Sequence, residues 1–233
     1  MLHSDSFHDG TGLDIHVRTT IDSYYSYMEA AAIRMGNDVL EVNASEMLFL
    51  LNGERIHRLV DDDKSFLFDS GGRTYQFSLQ EKHDKKRIYR LDLGATSILF
   101  KFFAHYLTVS VIGGYEELAD SVGLLGSRHD GSMFGRDGKP FELTFEDYGF
   151  EWQVNPAVDT ILFQQDRSPQ LPYEKCRMPT QARPSRRRLR ASNTELYKQA
   201  LEACSNVANG QENIDLCVQD VLATGEIGIA LVW

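Results

Sequence analysis

Short segments in which apolar and polar residues alternate follow one another from Leu13 to Ile112, each closed by turn residues. Successive side chains of a strand point to opposite faces, so a period of two is typical of strands with one buried face. No helical period intervenes in this region. The pattern predicts a mainly β fold with an antiparallel two-sheet, sandwich-like domain. The segments that show it best are 13–17, 48–56, 75–79, 88–93, 98–103 and 106–112.

Turn residues divide these segments. Asn52-Gly53 separates two apolar stretches and suits a type I′ hairpin turn, because both central residues of that turn need a positive φ. Residues 29–35 contain three consecutive alanines, which favour a helix. We predict a strand there instead, because the turn residues Gly36-Asn37-Asp38 lead directly into another apolar segment.

The C-terminal block has a helical period. Ser192 and Glu195 form the Ser-x-x-Glu pattern of a helix N-terminus, and Gly225 suits the position just after a helix. Apolar residues recur at helical spacing on both sides of Asn209-Gly210. The block from 192 to 233 is therefore predicted to be a helical hairpin.

Two of the three cysteines of the chain lie in this block. Cys204 and Cys217 both fall on the apolar faces of the predicted helices. From the residues alone they form either a disulfide or a pair of buried thiols that pack as small apolar groups. Three cysteines are too few for a disulfide-dense scaffold.

Charge is spread unevenly along the chain. The 34 acidic and 24 basic residues give a net charge of −10, which argues against nucleic acid as a partner. Residues 175–198 nevertheless carry eight basic residues and one acidic residue. This basic, proline-rich region predicts a linker over 161–191, between a β domain at 1–160 and the helical block at 192–233. The sequence has no apolar run of the length that a membrane span needs.

Several motifs, taken in order, resemble the von Willebrand factor type D domain. Gly123-Leu124-Leu125-Gly126 and the polar loop at Asp130-Gly131 precede the aromatic segment Tyr148–Val154, which is a strand in that family. Upstream, Leu51-Asn52-Gly53 is similar to the family's hairpin. Downstream, Cys204 and the run from Asp215 to Gly225 are similar to the helical cysteine-containing segment that follows type D domains.

The resemblance implies a cysteine-poor branch of the family. Leu125 stands where the family has a cysteine, and the family's opening strand is missing, which leaves a sheet edge that something must cover. The resemblance favours a disulfide between Cys204 and Cys217, while Cys176 either lost its partner with the missing segment or is a free thiol.

The resemblance also implies a calcium site, the only cofactor that the sequence suggests. Family members bind calcium in the loop after the Gly-Leu-Cys-Gly motif, through oxygen ligands. Here Asp130 and Asp137 are the only carboxylates of that loop, and Arg128 and Arg136 lie beside them in sequence. Calcium takes about six to eight oxygen ligands, so two carboxylates are few, and we favour the alternative in which both aspartates only form turns and no cofactor is bound.

Two features bear on secretion and processing. Asn43-Ala44-Ser45 is an N-glycosylation sequon. Arg186, Arg187 and Arg188 form either a cleavage site for a trypsin-like processing protease or a basic tether on the acidic body, and we favour the tether. The first residues have no secretory signal pattern, so we expect either a cytosolic protein or a piece of a longer precursor.

The sequence carries no familiar catalytic pattern, such as Gly-x-Ser-x-Gly, His-Glu-x-x-His or a phosphate-binding loop. By resemblance, we expect a non-catalytic extracellular module with a structural or adhesive function. Its partners would be proteins, among them other domains of a larger precursor. The alternative is an intracellular or complex-bound subunit whose open sheet edge is completed by a partner strand. An enzyme with a convergent site is the third hypothesis.

Overall fold

The computed structural model shows a mainly β chain with helices at its C-terminal end, which confirms the predicted fold class. Each statement below concerns the residues that the structure describes. These are residues 2–56, 65–83, 85–127, 129–142, 145–164, 194–207 and 210–233.

Twelve strands lie in the described residues, and every pair that they form is antiparallel. They lie in the segments that alternate in sequence. The strands are β1 (Leu2–Ser4), β2 (Leu13–Asp22), β3 (Tyr25–Met35), β4 (Asp38–Asn43), β5 (Leu48–Leu51), β6 (Glu54–Arg55), β7 (Phe66–Ser70), β8 (Arg73–His83), β9 (Lys86–Leu93), β10 (Thr96–Phe103), β11 (Tyr106–Gly113) and β12 (Val122–Gly123).

All these strands belong to one curled sheet that branches at β3. The main path runs β12-β1-β2-β3-β11-β10-β9-β8-β7, while β4, β5 and β6 continue from the other part of β3. The branch point is a β-bulge: Arg18 of β2 pairs with Ala30 and Thr19 with Met28, so Glu29 is the extra residue of β3 at this position. One strand can therefore pair with β4 on one side of the bulge and with β11 on the other.

The two arms of the branched sheet face each other across the core. Phe49 of β5 is fully buried, and its ring centroid lies 4.7 Å from that of Tyr89 in β9 and 5.8 Å from that of Phe102 in β10. These strands are far apart along the hydrogen-bonded path, so they meet face to face as two layers. The predicted sandwich-like packing is thus formed by one sheet folded over itself.

Both local strand predictions are confirmed. The three alanines lie inside β3, where Ala31 faces the core, and Gly36 begins the turn into β4. Asn52 and Gly53 have φ values of 51° and 83°, as a type I′ turn requires.

The C-terminal block is a helical unit packed against the sheet. It consists of α2 (Thr194–Cys204), α3 (Gln211–Thr224) and a 3₁₀ helix (Ile227–Val232), and its apolar side chains contact Phe103 and Tyr106. Gly228 approaches so closely that a Cβ atom there would overlap the Phe103 ring. Gly225 has a left-handed backbone at the end of α3, as predicted. Among the described helices, none combines the length and the apolar character that crossing a membrane requires.

The segment that was expected to be a strand from its family resemblance is helical. Residues Phe145–Glu151 form a short helix, α1, instead of a strand over 148–154. Tyr148 and Trp152 are four residues apart, and both are buried. Their polar atoms are hydrogen-bonded: the Tyr148 hydroxyl donates to Gly123 O, and the Trp152 indole N–H donates to Phe134 O. This packing uses helical spacing, which overrides the extended conformation expected there.

We expect Phe49→Ala to lower the free energy of unfolding by about 3–5 kcal/mol, because it opens a cavity between the two layers. Urea denaturation of the full chain measures this value. Leu67→Ala is the matched control, since Leu67 is 61% exposed on β7 and should change stability by about 0.5 kcal/mol or less. Equal losses in the two variants would contradict the two-layer core.

Candidate interaction site

The helical unit is closed by a disulfide between Cys204 and Cys217, which confirms the pairing that the resemblance favours. The bond joins the end of α2 to the middle of α3, and both cysteines are completely buried. They pack in the same cluster as Phe103 and Tyr106 of the sheet. The disulfide therefore stabilises the surface by which the helical unit contacts the β domain.

Asp130 and Asp137 both form tight turns. Asp130 Oδ1 accepts the backbone N–H of Ser132 at 2.9 Å, and Asp137 Oδ1 accepts that of Lys139 at 3.0 Å. These hydrogen bonds lower the pKa of both exposed carboxyls. No group of three or more His, Cys, Asp or Glu side chains in the described residues is arranged to hold a metal ion. The geometry is that of the turn-forming alternative, and calcium binding stays a prediction from the resemblance.

Arg136 anchors the segment that follows α1. Its guanidinium donates to Asp159 at 2.6 and 2.9 Å and to the carbonyl oxygens of Glu151 and Gln153. Burial opposes ionisation of Asp159, but the hydrogen bonds from Arg136 and from the Asn155 N–H, together with the positive charge of Arg136, outweigh it and lower the pKa of this carboxyl. Arg136, next to Asp137 in sequence, therefore helps to position residues 155–164, which we name the strap.

The strap lies on the face of β2, β3 and β4 that points away from the core. Register pairs His16 with Ala32 and Ala32 with Glu41, and in the next row Arg18 with Ala30 and Ala30 with Asn43. Side chains two residues apart share a face of a strand, so these six side chains form one surface. We name this surface the outer groove: its floor is the small side chains of β3, and its sides are the polar residues of β2 and β4.

Two contacts connect the end of the strap to the outer groove. The Phe163 ring lies 4.1 Å from the Arg18 guanidinium carbon, and the Gln164 N–H donates to Glu41 Oε2 at 3.0 Å. Leu162, just before these residues, is only 3% exposed. The predicted linker begins at residue 161, and two of its first residues, Phe163 and Gln164, contact β2 and β4. The remainder of that linker, with Arg186, Arg187, Arg188 and Cys176, lies outside the described residues.

Asn43, the predicted glycosylation site, is a buried member of the outer groove. Its side chain is 0% exposed, and its Oδ1 accepts the Ser45 hydroxyl and the Glu46 N–H. The nitrogen that would carry a glycan, Nδ2, is buried and has no hydrogen-bond partner among the described residues. The folded chain leaves no room for a glycan at this atom, so the geometry does not support the sequon as a modified site.

Two further polar atoms of the outer groove are buried and unpartnered within the described part of the chain, His16 Nδ1 and Glu41 Oε1. Burial disfavours the charged imidazole and lowers the pKa of His16 to about 4. Such atoms lose their hydrogen bonds to water on folding without replacement, which costs about 1–3 kcal/mol each. Together with Asn43 Nδ2, these atoms lie on β2 and β4, the two strands that flank the small residues of β3.

A second polar cluster lies between the Phe7–Gly10 turn and β8. His8 Nδ1 is 2.9 Å from the Tyr75 hydroxyl, His8 Nε2 is 3.5 Å from Glu117 Oε1, and Thr96 donates to the other oxygen of Glu117. Burial lowers the pKa of His8 although the Glu117 charge opposes this shift. Both His8 and Tyr75 are buried, so this arrangement holds the turn against the sheet and offers no access to a substrate.

An open cleft of about 370 Å³ lies beside the start of the strap. Phe141, Phe150 and Val158 supply its apolar wall, and Asp147 and Glu151 supply carboxylates. Glu151 already accepts the backbone N–H of Arg136, so one of these carboxylates is committed to the fold. The cleft can accept a small amphipathic group.

Sequence reasoning missed the outer groove. Polar residues that alternate with apolar ones in β2 and β4 predict a solvated outer face. The available signal was the pair of small residues, Ala30 and Ala32, opposite these polar positions. A smooth floor of this kind lets another chain segment approach the sheet closely.

No protein-family model matches the sequence, and no curated protein matches it. The resemblance to type D domains therefore depends on the quoted motifs alone. One of those motifs, the aromatic segment at 148–154, has a different conformation from the expected strand. Family membership stays a prediction.

We expect reduction of the Cys204–Cys217 disulfide to lower the stability of the helical unit by about 3 kcal/mol, because the bond closes a short loop that is otherwise free in the unfolded chain. Urea denaturation followed by helical circular dichroism, with and without reductant, measures the change. The double variant Cys204→Ala and Cys217→Ala should have the reduced stability and no response to reductant. An unchanged wild type in reductant would contradict a structural role for the bond.

The burial of His16 predicts a pH dependence of stability. The ring binds a proton near pH 6.5 in the unfolded chain but only near pH 4 in the folded one, so the unfolded state binds more protons between these values. Stability should therefore fall as the pH drops from 6.5 to 4, by about 3 kcal/mol from this group.

The control is His16→Gln, which keeps a polar side chain but cannot titrate. Urea denaturation at pH 7 and at pH 4.5 should show a smaller loss in this variant than in the wild type. His3, whose pKa is raised by its hydrogen bond to Asp14, contributes with the opposite sign in both proteins and cancels in the comparison. Identical losses in the two proteins would show that His16 is not held neutral.

Proposed function

We propose that this chain is a non-catalytic interaction module of an extracellular or cell-surface protein, with a structural or adhesive function. The observation that carries the proposal is the buried disulfide that closes the helical unit against the sheet. Structural disulfides persist in oxidising compartments and are rare in the cytosol, where thiols are kept reduced. A disulfide that stabilises a tertiary contact therefore supports the proposal that the protein folds and functions outside the cell.

The exposed apolar residues near β12 suit contact with another protein. Leu125 is 72% exposed in the turn that follows β12, and its neighbour Leu124 is also exposed. Val158 at the start of the strap has an exposed side chain as well. Apolar side chains on a rigid turn offer binding energy at a low cost in conformational entropy. These exposed apolar side chains support the proposal that the partners are proteins, including other domains of a larger precursor.

The environment of the titratable groups supports a non-catalytic function. His8, which contacts Tyr75 and Glu117, is buried together with Tyr75. A general acid or base must reach the proton that it transfers. His16, whose pKa is lowered by burial to about 4, is buried in the outer groove.

The alternative, a subunit whose sheet edge is completed by a partner, is favoured by one observation. β7 ends the main path of the sheet and pairs only with β8 among the described strands. Leu67 at its centre is largely exposed. An edge strand of this kind can bind an extended partner strand through its main chain.

We expect the protein isolated from its native source to be extracellular, oxidised at Cys204 and Cys217, and associated with other protein. Intact mass without reductant, followed by reduction, detects the bond as a gain of two hydrogens. Light scattering of the same sample should give a mass above the 26.5 kDa of the chain.

Recovery from the cytosol with free thiols would contradict the extracellular function and favour the edge-pairing alternative. A monomer at 26.5 kDa in the native extract would contradict an interaction module of either kind. The double variant Cys204→Ala and Cys217→Ala is the reference for the mass of a chain that cannot form this bond.

A further inference from the structure

We propose that the outer groove binds an extended peptide segment of a partner protein, and that the end of the strap occupies the groove when the partner is absent. The inference rests on the proposed function, because it takes the partner to be a protein. Beyond that function, it assigns the binding site, the chemical character of the peptide, and a segment of the chain itself that competes with the peptide.

The dimensions of the outer groove suit a short extended peptide. Ala30 and Ala32 are completely buried and form the floor between β2 and β4. Adjacent strands lie about 4.8 Å apart, so the distance across three strands is about 10 Å. An extended peptide covers this distance with about three residues, at about 3.3 Å per residue.

The strap indicates what kind of side chains the groove accepts. Leu162 is buried, and the next residue, Phe163, places its ring over the Arg18 guanidinium. The burial of Leu162 is a hydrophobic contribution, and the contact of Phe163 with Arg18 is a cation–π interaction. A partner peptide should therefore carry an apolar residue followed by an aromatic one.

The main chain of a peptide can pair with more of the polar atoms of the groove than the strap does. Glu41 Oε1 can accept an N–H, Asn43 Nδ2 can donate to a carbonyl, and His16 Nδ1 can do either. All three atoms are buried and unpartnered in the described structure, on side chains that are at most 3% exposed. The strap supplies only the Gln164 N–H, to the other oxygen of Glu41. A peptide in a slightly different register would satisfy atoms that the strap leaves unpaired.

The end of the strap can leave without unfolding the sheet. Its first residues are fixed by the ion pair between Arg136 and Asp159, and Asp159 also accepts the N–H of Asn155. From residue 161 onward it forms no strand and pairs with no strand of the sheet. Ile161, between the fixed part and the groove, is half exposed. Displacement is therefore confined to residues 161–164.

The test uses the full oxidised chain and a fluorescein-labelled peptide with the sequence of residues 155–164, Asn-Pro-Ala-Val-Asp-Thr-Ile-Leu-Phe-Gln. Leu162→Ala with Phe163→Ala weakens the internal competitor, so fluorescence anisotropy should show the peptide binding this variant at least about tenfold more tightly than the wild type. Ile161→Ala is the matched control and should bind as the wild type does. A peptide with alanines in place of the Leu-Phe pair should not bind.

Asn43→Asp, added to the opened variant, tests the polar chemistry of the groove. It keeps the oxygen that accepts from Ser45 and Glu46 but replaces the unpartnered Nδ2 donor by a second acceptor. We expect the affinity for the peptide to fall by about tenfold or more. An undiminished affinity would show that Asn43 Nδ2 faces only buried water, and it would overturn the proposed main-chain recognition.

Equal binding to the wild type and the opened variant, or no binding to either, would also overturn the proposal. Hydrogen exchange of the wild type gives a second measurement if the opened variant fails to fold. The Gln164 amide should exchange faster than the amides of β2–β4, and still faster with the peptide present. If the Gln164 amide exchanged only as slowly as the amides of β2–β4, the strap would not be displaceable and the proposal would be contradicted. These outcomes do not depend on the compartment of the protein, so they are separate from the test of the proposed function.

Discussion

The packing of Phe49 against Tyr89 and Phe102 is the interaction on which the rest of the structure depends. It holds two layers together although both belong to a single hydrogen-bonded sheet. The layers can face each other because the bulge at Glu29 lets β3 pair with β4 and with β11 in turn. Since this core uses the inner face of β2–β4, the outer face is left for other contacts, and the strap lies there.

Much of the fold follows from short-range features of the sequence. A period of two identifies strands because it reports on the two faces of each strand, and Asn52-Gly53 identifies its turn because few residues tolerate a positive φ. The helical unit is equally readable from its apolar spacing and from Gly225. The resemblance to a known family added the disulfide pairing, but it suggested a strand at 148–154, where the packing of Tyr148 and Trp152 produces a helix.

The outer groove could not be predicted because its burial depends on contacts far apart in sequence. Glu41 and Gln164 are 123 positions apart in sequence, and no local sequence pattern predicts that the strap contacts β4. Polar residues at alternate positions usually face water, so the same alternation that correctly predicts β2 and β4 gives the wrong environment for Glu41 and Asn43. The sequon at Asn43 shows the same limit, because a three-residue motif carries no information about burial.

The position of the disulfide has a consequence for chain topology. Both of its cysteines belong to the helical unit, so the bond does not connect that unit covalently to the β domain. The unit is retained there by apolar contacts, with the close fit of Gly228 on Phe103 among them. Proteolysis anywhere between residues 165 and 193 would convert one polypeptide into a noncovalent heterodimer of two folded fragments. Such fragments would co-purify under native conditions, whereas denaturing electrophoresis would separate them even without reductant.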